Sequence, residues 1–111
     1  MQGIVAAMAE VNDGGVVVTR LDIEGSTDSI VLLDPDHRPP EVLAWQPFPN
    51  VLRVTSGGDV VWRSALVPEE TTAKCWLTLE WSGDHLRART YSFECELDPA
   101  SGQIVRKTFT R

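Results

Sequence analysis

The chain contains two histidines, His37 and His85. The first sits in Asp34-Pro35-Asp36-His37, where carboxylate oxygens and an imidazole could together hold a divalent ion. Pro35 restrains that stretch, and aspartates of this kind also make ordinary turns, so no metal site is assigned. His85 follows Ser82-Gly83-Asp84 and reads as the start of an exposed strand. Ser26 and Ser29 lie in no nucleophile-elbow context. Glu94 and Glu96 are spaced to share one strand face, as an acid–base pair of carboxylates would be. Arginines expected opposite them give both a structural role. Gly14-Gly15 and Gly57-Gly58 sit in hairpin turns, so neither forms a phosphate loop. The expectation is therefore a protein with no catalytic residues, no metal and no cofactor, and not an enzyme.

Turn chemistry punctuates the chain every ten residues or so, the pattern of an all-β protein. Asn12-Asp13-Gly14-Gly15 separates residues 4–11 from 16–23 and suits a tight hairpin. Glu24-Gly25-Ser26-Thr27-Asp28 leads to the apolar run Ile30-Val31-Leu32-Leu33. Ser56-Gly57-Gly58-Asp59 joins 51–55 to 60–64, and Ser82-Gly83-Asp84 joins 74–81 to 85–90. Asp98-Pro99-Ala100-Ser101-Gly102 joins 93–97 to 103–109, with Pro and Gly where a type I turn closed by a left-handed residue wants them. The predicted architecture is all-β. It is one domain over 1–111, an antiparallel meander of about eight to ten short strands, forming a sandwich or a partly open barrel.

Alternation fixes one register closely. Cys75, Leu77, Leu79 and Trp81 fall on one face of their strand, with Trp76, Thr78 and Glu80 on the other. A two-residue loop at Tyr91-Ser92 sets Leu86 opposite Leu97 and Ala88 opposite Cys95. The same loop sets Arg87 opposite Glu96 and Arg89 opposite Glu94. A slip of one residue would exchange the faces. Tyr-Ser is a poor choice for such a loop. In this register Cys75 and Cys95 lie two strands apart, at about 10 Å. A disulfide needs α-carbons within about 7 Å. Two buried free thiols are expected, and with them a cytoplasmic location.

The segment from Asp34 to Asn50 breaks the meander with five prolines, which exclude a central strand. An edge strand over 41–45 is conceivable there, and a short turn over 68–73. Long irregular loops in small domains often carry function. The four tryptophans are also many for this length. Trp81 is expected in the core. Trp76 shares a face with Thr78 and Glu80: either it is exposed, an adhesive patch beside Arg87 and Tyr91, or a second layer covers this face. The candidate partner-binding residues are His37, Arg38, Trp45, Phe48, Trp76 and Tyr91.

The formal net charge is −6 over 111 residues. Nucleic-acid binding wants a basic footprint, and the only basic run is Arg106, Lys107 and Arg111. The opening Met1-Gln2-Gly3-Ile4-Val5-Ala6-Ala7-Met8-Ala9 lacks the basic start of a signal peptide and is too short for a membrane span. It reads as a first strand. Asn50-Val51-Leu52-Arg53-Val54 with Gly58-Asp59-Val60-Val61-Trp62-Arg63 resembles the blade ends of quinoprotein-type (PQQ) β-propellers. So does Leu97-Asp98-Pro99-Ala100-Ser101-Gly102-Gln103-Ile104-Val105. Lys107 stands where the repeat usually has Trp, and no cofactor-contacting residues are identifiable, so neither quinone nor activity is carried over. The Asp-Pro-x-x-Gly…Phe-Thr ending also resembles small uncharacterised bacterial β proteins. Some small acidic β proteins are immunity proteins for toxins. The expectation is a non-enzymatic protein-interaction domain, an inhibitor or immunity type, for a basic partner. The partner expected is another protein or a second copy, not nucleic acid or a membrane. The alternative is a small-ligand-binding β-barrel.

Overall fold

The computed structural model describes residues 15–40, 42–43, 46–72 and 74–110. Eight strands follow in chain order: β1 (Val17–Asp22), β2 (Ser29–Leu33), β3 (Val51–Val54), β4 (Val60–Arg63), β5 (Thr78–Ser82), β6 (His85–Arg89), β7 (Phe93–Leu97) and β8 (Ile104–Phe109). They form two four-stranded antiparallel meanders, β1-β2-β3-β4 and β5-β6-β7-β8. The predicted all-β antiparallel meander is observed; among the described residues no barrel closes, and the two sheets share one apolar core as the layers of a sandwich do. The expected strand over 4–11 lies outside the described residues, as do Glu41, Ala44 and Trp45 of the expected edge strand.

The two sheets share a plan. Gly25 and Gly83 take positive φ in the first hairpin of each sheet, and Gly58 and Gly102 do so in the last. Both last hairpins also shift register beside their turn, at Arg53/Val54 and at Glu96/Leu97. A left-handed residue with an adjacent bulge is the standard device for a longer hairpin loop, and glycine adopts it without steric cost.

Apolar residues alternate differently in the two sheets, and this decides the layering. In β6 burial alternates strictly, with Leu86 and Ala88 inside and His85, Arg87 and Arg89 outside. In β2 the run Ile30-Val31-Leu32-Leu33 is buried throughout. A continuous apolar run marks a strand covered on both faces. Ile30, Leu32, Val51 and Trp62 point at the second sheet, where they meet Trp76, Leu79, Leu86, Cys95 and Leu97. Val17, Val31, Leu33, Leu52 and Val54 point the other way and pack with Phe48 and Cys75.

The predicted register is the observed one: Leu86 pairs Leu97, Arg87 pairs Glu96, Ala88 pairs Cys95 and Arg89 pairs Glu94. The strand before it starts later than expected. β5 begins at Thr78, and the period of two fails upstream of it, because both Cys75 and Trp76 are buried while Leu77 is exposed. Residues 74–76 belong to a seam between the sheets. Phe48 N–H donates to the Lys74 carbonyl at 2.8 Å, and Phe48 and Cys75 form an isolated parallel bridge. Asn50, wholly buried, completes the seam. Its amide nitrogen donates to the carbonyls of Leu33 (2.8 Å) and Trp76 (2.9 Å), and its oxygen accepts the Trp76 N–H at 2.7 Å. One side chain thus replaces the backbone pairing that would otherwise be missing where the sheets meet.

Candidate functional site

Three turns gather at one end of the sandwich: the β1–β2 turn, the β5–β6 turn and the β7–β8 turn. The last is pinned to the first sheet through the Pro99 carbonyl, which accepts from Arg53 Nη1 at 3.1 Å and Trp62 Nε1 at 2.9 Å. Arg53 also pairs with Asp28 at 3.0 Å, so its charge is used in holding the turns together. Trp81 Nε1 donates to the Asp22 carbonyl at 2.9 Å and ties β5 to β1.

Between these turns lies an open cleft of about 560 Å³. Trp81, Ile23 and Pro99 supply its apolar lining, and Asp22, Glu24 and Asp84 its acidic lining. The indole is half-buried against the core and its N–H is held by the Asp22 carbonyl. Among the described residues no lysine or arginine pairs with these three carboxylates. Only His85 approaches, with Nε2 3.4 Å from Asp84. His85 Nδ1 lies 2.7 Å from Glu96, and that hydrogen bond and charge, with Asp84 adding to them, raise its pKa above the usual 6.5. An indole and three carboxylates lining one cleft suit a cation, through ring and charge together.

The residues expected to bind a partner are placed elsewhere, and they do not make one surface. His37 is exposed and bonds Asp34 at 2.7 Å in a local turn. Arg38 is a clamp: its Nη1 donates to the carbonyls of Gln46 (2.7 Å) and Leu43 (3.3 Å), and its guanidinium lies 5.4 Å from the Phe48 ring. Phe48 is buried in the second cluster, not presented on the loop. Trp76 is buried completely, the covered alternative, and so it is not available to a partner: the seam removes it from the alternation of β5, and its Nε1 donates to the Ser64 carbonyl at 3.3 Å. Tyr91 is exposed at the far end of β6 from the cleft. Trp45 lies outside the described residues. A sequence reader could have noted Asp22, Glu24 and Asp84 as turn carboxylates. Their convergence on Trp81 depends on how two separate sheets stack, which no local pattern encodes.

The Tyr91-Ser92 loop has its own explanation. Glu70 reaches into it from the connection between the sheets and is buried. The Ser92 N–H donates to Oε1 at 2.7 Å, while the Ser92 hydroxyl (3.2 Å) and the Thr72 N–H (3.1 Å) donate to Oε2. Burial alone would raise this carboxyl, but those bonds and one from the Thr90 hydroxyl outweigh it and hold the pKa at about 2. A group so acidic is a poor general base at neutral pH and serves here as an anchor. Both thiols are buried and free, and burial raises both, Cys95 to about 11. They occupy different clusters, one between the sheets and one behind the first sheet.

Among the described residues no cluster of His, Cys, Asp and Glu could hold a metal, and no helix is long and apolar enough to cross a membrane. Comparisons with family models, with curated proteins and with solved structures return no match for this chain.

Proposed function

We propose that this protein is a non-enzymatic interaction domain that docks a basic protein partner at the Trp81 cleft. The observation that carries the reading is the cleft itself: Trp81 with three carboxylates that pair with no lysine or arginine among the described residues. The net charge of −6 supports it by steering cationic partners toward the molecule. An exposed ion pair contributes about 0.2–1 kcal/mol. A cation on an exposed indole adds about 0.5–1 kcal/mol. The cleft would then anchor a contact rather than supply its whole affinity. An inhibitor or immunity-type role for such a partner is the finer form of the proposal, resting on size and acidity.

The test is capture from the source organism at physiological salt, comparing the natural chain with Asp22→Asn/Glu24→Gln/Asp84→Asn. A partner of basic composition, retained by the first and lost by the second, is expected. Equal retention by both, or no salt-stable partner, would refute the proposal. Two separate sheets, with Trp62, Trp76 and Leu79 in their shared core, support the interaction reading over the small-ligand-binding β-barrel.

We also infer that each meander is a blade of the propeller type. In support, each is a four-stranded antiparallel sheet of consecutive hairpins, with positive-φ glycines in matching turns.

A further inference from the structure

We infer that the cleft recognises an arginine side chain, in preference to lysine, on the basic partner; this rests on the functional reading above. Trp81 offers a flat ring held in place by its own N–H bond to the Asp22 carbonyl, so the indole cannot turn to donate elsewhere. Ile23 and Pro99 line the cleft with it, and none of the three carries a charge. A compact, strongly hydrated ammonium gains little from such a lining. A guanidinium is planar, more weakly hydrated, and stacks on aromatic faces.

The acidic residues favour the same group. Asp22 and Glu24 come from the end of β1 and its turn and Asp84 from the β5–β6 turn, so segments of both sheets bring acceptors to the cleft. A guanidinium presents five donors in a fixed fork and can serve more than one acceptor while stacking on a ring. A lysine is a point charge and gains from the acidic residues alone. Two of the chain's own arginines are committed elsewhere, Arg53 to Asp28 and Arg87 to Glu94. The cleft volume, about 560 Å³, admits one such side chain with its stem.

Acetylated hexa-arginine, hexa-lysine and hexa-glutamate peptides, titrated by calorimetry at low salt, supply the test. Hexa-arginine is expected to bind about five- to tenfold more tightly than hexa-lysine, with no binding of hexa-glutamate. In Trp81→Leu the two basic peptides should bind alike. In Glu24→Gln/Asp84→Asn, whose exposed positions leave folding intact, both should weaken at least threefold. Equal affinity for the two in the natural protein, or an arginine preference that survives Trp81→Leu, would overturn the inference and leave the interaction reading standing. A cleft that binds neither peptide would overturn it too. Loss of the interaction reading itself would show separately, as capture unchanged in the triple variant.

Discussion

Replacing Glu70 by Gln should cost the fold several kcal/mol at neutral pH and almost nothing in strong acid. Glu70 is 5% exposed, yet all its partners are neutral donors: the Ser92 N–H and hydroxyl, the Thr72 N–H and the Thr90 hydroxyl. Each of those bonds exists only while the carboxylate is ionised or turns a lone pair to it. A Gln amide would direct two hydrogens at groups that are themselves donors. The carboxyl falls from 4.5 to about 2 on folding. That difference is worth about 3 kcal/mol by linkage, and about 2–3 kcal/mol once discounted for water near the loop. The sign follows from which state binds protons. Between pH 4.5 and about 2 the unfolded chain holds a proton on Glu70 and the folded chain does not, so stability falls as pH falls through that window. Above 4.5 the contribution is fully present. Urea unfolding of the natural chain and Glu70→Gln, followed by tryptophan fluorescence at several pH values, isolates this group, since every other carboxyl cancels in the difference. A gap of about 2–3 kcal/mol at pH 7, closing as pH falls from 4.5 toward 2, is expected. A pH-independent gap, or a neutral substitution, would refute the reasoning.

Four further outcomes follow from the same geometry. Asn50→Ala strands the Trp76 N–H and two carbonyls in the seam, and thermal or urea unfolding should show a loss of about 3 kcal/mol or more. Gly102→Ala should destabilise by about 2 kcal/mol or more, with a shifted fluorescence maximum, since φ is 77° and a methyl there would collide with the Trp62 indole. The imidazole of His85 should titrate above 6.5 by NMR and return toward it in Glu96→Gln. The stabilisation from that pair is present in full below 6.5 and is lost as pH rises through the folded-state value. Cys75 and Cys95 should resist thiol reagents in the native state and react together on unfolding, since burial keeps both protonated.

The part of the fold that could be read along the chain is the part governed by local alternation. From β6 to β7, apolar and charged residues alternate without a break, so only one register puts Arg87 and Arg89 opposite Glu96 and Glu94. The turns carried comparable information, because a glycine with positive φ leaves a mark such as Gly83-Asp84 or Ser101-Gly102. The strand period leaves Trp76 open for a definite reason. Its neighbours Thr78 and Glu80 obey the strand period, but Trp76 itself is held by Asn50, 26 residues earlier in the chain. The proline-rich segment looked like a presented loop because its prolines exclude strand pairing. Arg38 ties its backbone together instead, and Phe48 turns inward. The site was the least legible feature. Its parts lie in turns of two sheets, and each alone is an ordinary exposed acid or a strand tryptophan.

The most direct test of the account is a map of backbone and indole amide shifts in the 15N-labelled protein on titration with its basic partner, or with hexa-arginine. The account predicts the largest changes at the Trp81 indole N–H and at Ile23, Glu24 and Gly83, with little at His37, Tyr91 or the buried Trp76. Changes centred on Tyr91 and the segment from Asp34 to Asn50, with the Trp81 indole unmoved, would contradict it.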